Sequence, residues 1–92
     1  MTRARSGKIR IKAIKVNLSL GSRSSLVKTV QQFLIAQNKG LKAQALAKNG
    51  TTNLFGAMTK AALVEWQKSV GIAPATGTFG PQTRAYIQAL SI

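Results

Sequence analysis

The side chains of this chain that could do chemistry are almost all cationic. The sequence has 14 Lys and Arg residues, no histidine, no cysteine, and Glu65 as its single acidic side chain. Acid–base catalysis commonly needs paired carboxylates or a histidine, and Ca²⁺, Mg²⁺ and Zn²⁺ sites need several carboxylate, imidazole or thiolate ligands. We therefore predict that the protein is not an enzyme and that it has no catalytic residue, no metal site and no cofactor.

The net charge of +13 predicts attraction to polyanions. Residues 1–15 carry six of the basic side chains, and we expect this basic arm to contact a polyanion through Arg3, Arg5, Lys8, Arg10, Lys12 and Lys15. Apolar and basic residues alternate from Lys8 onward, which is typical of extended structure. Such an arm would pack along the domain, pair with another chain so that the protein self-associates, or order on a ligand.

A ten-residue pattern occurs twice in the second half of the chain. Residues 52–61 and 76–85 share the frame Thr-x-x-Phe-Gly-x-x-Thr-Lys/Arg-Ala. The glycine permits a tight turn, and the threonine or proline that follows suits the first turn of a helix. Each copy therefore predicts a loop that opens a helix, and the two copies predict two similar units around a shared core.

Apolar residues at helical spacing predict three main helices, over residues 26–37, about 57–70 and about 81–90. Residues 41–48 are strong helix formers, which favours a short additional helix. The sequence thus predicts an all-α fold, a small three-helix bundle with an extended basic N-terminal arm. We assign residues 1–15 to the arm and residues 16–92 to the helical domain.

Three motifs in order carry a family resemblance. They are Val-x-x-Val-Gln-x-x-Leu at 27–34, Phe-Gly-x-x-Thr-x-x-Ala-x-x-x-Trp-Gln-x-x-x-Gly-Ile at 55–72, and Thr-Gly-x-x-Gly-Pro-x-Thr at 76–83. With these motifs, residues 16–90 resemble the small peptidoglycan-binding domain family found attached to bacterial cell-wall hydrolases. The resemblance implies a three-helix domain that binds peptidoglycan without catalysis. Thr52 and Thr76 stand where the family usually has Asp, and a threonine hydroxyl makes the same local turn bond more weakly.

Four residues of the domain are candidate ligand contacts: Gln31, Lys60, Gln67 and Arg84. The two glutamines either present their amides to a glycan or stem peptide, or bond the loop backbone and fix the Phe-Gly turns, and the second interpretation is favoured. Lys60 and Arg84 occupy equivalent positions in the repeat, at the first turns of their helices. They are the best candidates within the domain for contact with an anion, and the alternative is that they are solvated charges.

We expect a non-catalytic module whose partner is peptidoglycan or another anionic wall polymer. The alternative is a nucleic-acid-binding protein that contacts RNA or DNA phosphates through the same fold and the basic arm. No run of about 18 apolar residues predicts a membrane span, and Met1 to Leu20 do not have the pattern of a secretory signal. We therefore expect a cell-envelope location if an export signal has been removed, and a cytoplasmic one if the chain is complete as printed.

Overall fold

The computed structural model describes residues 9–91, which form four α-helices and one short 3₁₀ helix. The elements in chain order are the 3₁₀ helix Ile11–Ala13, α1 Ser25–Gln37, α2 Leu41–Asn49, α3 Ala57–Val70 and α4 Pro81–Gln88. The all-α class is confirmed for this part of the chain. The three main helices that the sequence predicts correspond to α1, α3 and α4, and the helix formers of residues 41–48 fold into α2, which packs against both α1 and α3. The bundle within residues 9–91 therefore has four helices and not three.

Local sequence signals set the ends of these helices. Ser24 caps α1, where its Oγ accepts a hydrogen bond from the Leu26 N–H at 3.2 Å. The same helix ends at Asn38, which adopts the left-handed conformation with φ 48°. Gly71 ends α3 in the same way with φ 84°, and Pro81 begins α4 at the position that does not need an N–H.

The core is centred on α3 and its single tryptophan. Trp66 is 1% exposed, and its ring meets the rings of Phe33 and Tyr86 edge to face, at centroid distances of 5.3 and 5.6 Å. The indole Nε1 donates to Gln37 Oε1 at 3.2 Å, so the polar end of the ring is also satisfied. One residue of α3 thereby joins α1 to α4.

The N-terminal segment differs from the extended strand that its alternating pattern predicts. Ile11 and Ile14 are both buried, and the backbone between them turns as a 3₁₀ helix. Residues three apart lie on the same side of a 3₁₀ helix, so this turn brings both isoleucines onto the core. The prediction of extended structure is therefore wrong at residues 11–13. The described residues contain isolated β-bridges at Leu18 and Arg23 but no β-strand.

Basic residues of the predicted arm occupy different environments. Lys12 is half-buried, its Nζ donates to the Leu90 carbonyl, and its own carbonyl accepts from Gln88 Nε2 at 2.7 Å. Arg10 and Lys15 are exposed. Three further members of the arm lie outside the described residues: Arg3, Arg5 and Lys8. Polyanion contact and self-association through this arm stay predictions.

The only acidic side chain of the sequence lies on α3 and caps the N-terminus of the neighbouring helix α2. Glu65 Oε1 on α3 accepts hydrogen bonds from the Lys42 and Ala43 N–H groups at 3.0 and 3.2 Å. The residue at the N-cap itself is Gly40, which has no side chain with which to cap the helix. A Cβ at Gly40 would overlap the Glu65 carboxylate, so the glycine makes room for the cap. The negative charge also suits the positive end of the α2 dipole.

Replacing Ile11 by Ala tests whether the N-terminal segment belongs to the folded core. Ile11 is 2% exposed, and we expect Ile11→Ala to lower the free energy of unfolding by about 2–4 kcal/mol because it leaves a cavity. Urea unfolding followed by Trp66 fluorescence measures the loss. Val16→Ala is the control: this side chain is 50% exposed, so the change should stay within about 0.5 kcal/mol. Equal effects of the two variants would contradict the packing of Ile11.

Candidate functional site

A buried glutamine on α1 holds the first Phe-Gly loop. Gln31 is 2% exposed, and its Nε2 donates to the Leu54 carbonyl at 3.1 Å and to Thr59 Oγ1 at 2.9 Å. Its Oε1 accepts from the Thr52 N–H at 2.7 Å. One amide therefore connects α1, the loop and the first turn of α3, an arrangement that we call the first glutamine clamp.

A second glutamine clamp holds the second Phe-Gly loop, and its bonded carbonyl and threonine lie 24 residues after those of the first clamp. Gln67 on α3 is 1% exposed; its Nε2 donates to the Thr78 carbonyl at 3.1 Å and to Thr83 Oγ1 at 2.9 Å. Its Oε1 accepts from the Gly77 N–H at 2.9 Å. Thus α3 is the second helix of the first unit and the first helix of the second unit.

Gln31 and Gln67 are therefore engaged inside the protein, and neither amide is presented to a ligand. The structure supports the favoured interpretation that they bond the loop backbone and fix the Phe-Gly turns. Phe55 and Phe79, which follow the bonded loop positions, are also buried. The two clamps hold the loops beside the candidate site, and the side chains that line this site are other residues.

The candidate site is an open groove of about 870 Å³ along the exposed face of α3. Its floor is apolar, and side chains from α3, from the start of α2 and from the N-terminal segment form its walls. We call it the α3 groove; its lining residues are Leu20, Lys42, Ala57, Lys60, Ala61, Val64, Glu65, Lys68 and Ser69. None of them is aromatic.

Lysine side chains give the α3 groove its electrostatic character. Lys60 and Lys68 come from α3 and Lys42 comes from α2, and all three are exposed. The carboxylate of Glu65 also lines the groove, but its Oε1 bonds the α2 backbone. The groove can therefore hold a molecule that has an apolar body and separate anionic groups.

One of the four predicted ligand residues, Lys60, lines the groove. Its equivalent in the repeat, Arg84, is half-buried and donates from its guanidinium to Asn17 Oδ1 in the N-terminal segment. The Leu18 N–H and carbonyl also bond the backbone of Phe79, at 3.0 and 2.8 Å. The N-terminal segment thus crosses the second unit, whereas the face that carries Lys60 stays open.

Lys42, Lys68 and the apolar floor of the groove were not predicted from the sequence. Lys60, Val64 and Lys68 are spaced four residues apart, and this spacing places them on one face of a helix. Lys42 carries no such signal, because it reaches the groove only through the packing of α2 on α3.

Gly77 of the second loop supports the Lys60 side chain. The glycine has φ 77°, and a Cβ there would lie 2.7 Å from Lys60 Cγ and 2.9 Å from Val64 Cγ2. The close approach lets the aliphatic part of Lys60 pack on the loop. The second glutamine clamp holds Gly77 by its N–H, so it also fixes this support.

A smaller pocket of about 160 Å³ lies beside the second loop, with Gln67 and Thr83 in its lining. Both side chains are bonded to each other within the second glutamine clamp. This pocket has no lysine or arginine in its lining, unlike the α3 groove.

Comparison with known proteins assigns the family. Residues 23–87 match a family model described as "Putative peptidoglycan binding domain". The matched segment contains both glutamine clamps and most of the α3 groove. The chain belongs to the peptidoglycan-binding domain family. Comparisons with curated proteins and with solved structures gave no match.

This peptidoglycan-binding domain keeps its loops despite threonine at the usual aspartate positions. Thr52 Oγ1 accepts from the Leu54 N–H at 3.1 Å, and Thr76 Oγ1 accepts from the Thr78 N–H at 3.2 Å. Each hydroxyl therefore makes the local turn bond that the resemblance implies.

Replacing Gln67 by Ala tests the second glutamine clamp. The Gly77 N–H and Thr83 Oγ would lose their buried partner, and we expect the free energy of unfolding to fall by about 2–4 kcal/mol. Chemical denaturation measures the change. Gln32→Ala is the matched control, since Gln32 is an exposed glutamine on α1; its effect should stay within about 0.5 kcal/mol. If Gln67→Ala lowered the free energy of unfolding by less than about 0.5 kcal/mol, the clamp would be contradicted.

Gly77→Ala tests how the second loop supports the groove. The added Cβ meets Lys60 and Val64 and occupies a left-handed backbone, so we expect a loss of about 1–3 kcal/mol in the free energy of unfolding. Gly56→Ala is the matched control, because Gly56 has no positive φ and no atom within 4 Å of its added Cβ. Thermal unfolding of both variants checks the difference, and equal stability would count against the contact.

Proposed function

We propose that this protein is a non-catalytic module that binds peptidoglycan through the α3 groove. The observation that carries the proposal is the grouping of Lys42, Lys60 and Lys68 on one open apolar face of a domain of this family. Peptidoglycan is anionic through the carboxylates of its stem peptides and through attached polymers. Cationic groups around an apolar floor match a polymer of this kind.

The composition supports binding without catalysis. Hydrolysis of a glycosidic bond usually needs two carboxylates, and the sequence has only Glu65. That carboxylate is already bonded to the start of α2. The groove supplies ammonium groups and methyl groups, which bind and orient a ligand.

Nucleic acid is the second candidate partner, and the net charge of +13 favours it. Exposed basic residues outside the groove, such as Arg10, Lys15 and Lys28, would contact phosphates. Binding of this kind would follow total charge more than groove geometry, and it would weaken steeply as salt rises.

No helix within residues 9–91 is long and apolar enough to span a membrane.

Cosedimentation with purified peptidoglycan sacculi tests the proposed function. We expect the full chain to pellet with sacculi in 150 mM salt and to keep part of that binding in 500 mM salt, because apolar contacts resist screening while the contacts of the exposed lysines weaken. We also expect no release of soluble muropeptides from the sacculi. A mixed pool of RNA and DNA, assayed under the same salt conditions, provides the comparison.

Absence of sacculus binding at every salt concentration would contradict the proposal. Nucleic-acid binding that collapses with salt, together with negligible sacculus binding, would establish the second candidate instead. Release of muropeptides by the purified chain would show that it is an enzyme.

A further inference from the structure

We propose that the α3 groove recognises the stem peptide of peptidoglycan, and not its glycan strand. This inference rests on the proposed function and names the part of the polymer that the site takes. The stem peptide is short, rich in alanine, and carries free carboxylates on its side chains and at its C-terminus. Each of these features has a counterpart in the groove.

The floor of the groove suits small aliphatic side chains. Ala57, Ala61 and Val64 lie on one face of α3, and Leu20, which is 57% exposed, borders them. The two alanines leave the helix surface low, so a peptide backbone can approach it closely. Methyl groups of alanine residues would then bury apolar area against this floor.

The lysines are spaced for a peptide with more than one carboxylate. Lys60 and Lys68 are eight residues apart on α3, which corresponds to roughly 12 Å along the helix axis. An extended peptide covers that length in about four residues. Two carboxylates on one short peptide can therefore meet Lys60 and Lys68 together, and Lys42 offers a third ammonium from α2.

The lining argues against the other components of a bacterial wall. It contains no aromatic side chain on which the face of a sugar ring could stack. It also contains the Glu65 carboxylate, which would repel one of the evenly spaced charges of a polyphosphate chain. A stem peptide avoids both difficulties, because its carboxylates are separate and its diamino acid carries an ammonium group.

Two charge-matched variants provide the test. The groove variant is Lys42→Gln, Lys60→Gln, Lys68→Gln; the surface variant is Lys28→Gln, Lys39→Gln, Lys48→Gln, at exposed positions outside the groove. Both remove the same charge from exposed sites, and thermal unfolding checks that both fold. Each is assayed with the parent chain on intact sacculi and on glycan strands freed of stem peptides by an amidase.

We expect the groove variant to bind intact sacculi ~10-fold or more weakly than the parent, and the surface variant to stay within ~2-fold. We also expect the parent to bind the stripped glycan ~10-fold or more weakly than intact sacculi.

Equal binding of the parent to intact and stripped material would overturn the stem-peptide inference and leave the proposed function standing. Equal weakening of the two variants would also overturn it, since total charge would then determine binding. Failure of the parent chain to bind either material would instead overturn the proposed function.

Discussion

The need to satisfy buried amide groups determines how this small domain is built. Gln31 and Gln67 are almost completely buried, and a buried amide without partners costs about 1–3 kcal/mol. Each side chain finds its partners in a loop and in the first turn of the next helix. The loops are therefore held in one conformation relative to α3. The α3 groove depends on this, because Gly77 supports Lys60 from one of those loops.

The scarcity of acidic residues is the second constraint. The one acidic side chain has a structural role, and the lysines of the groove remain available to a ligand. The single carboxylate, on Glu65, is committed to the start of α2, so the lysines of the groove have few internal anions to pair with. The cap also holds Lys42 at the edge of the groove through its backbone N–H. Glu65 thereby positions Lys42 and is also the one acidic residue among those that line the α3 groove. These exposed ammonium groups are available to an external anion, which is consistent with the anionic peptide that we propose as the ligand.

Much of the fold could be predicted from the sequence, because helix signals are local. The predicted helices over 26–37 and 57–70 match α1 and α3 within one residue, whereas α4 ends at Gln88, before the predicted end. The segment around Ile11 was predicted as extended because its apolar and basic residues alternate. In a segment this short, that alternation and the three-residue spacing of a 3₁₀ turn both fit the sequence. The site was harder to predict. Lys60 and Arg84 are equivalent in the repeat, and only tertiary packing shows that Asn17 engages one of them. The position of Lys42 likewise follows from the docking of α2.

Chemical-shift mapping would test most directly whether the α3 groove is the peptidoglycan site. The ¹⁵N-labelled chain would be titrated with soluble peptidoglycan fragments that retain their stem peptides. We predict the largest shifts at the amides of Ala57, Ala61, Val64 and Lys68, with small changes in the exposed part of α1 around Lys28. Shifts concentrated in residues 9–15, or spread evenly over all exposed basic residues, would show that the ligand follows charge and would contradict the account.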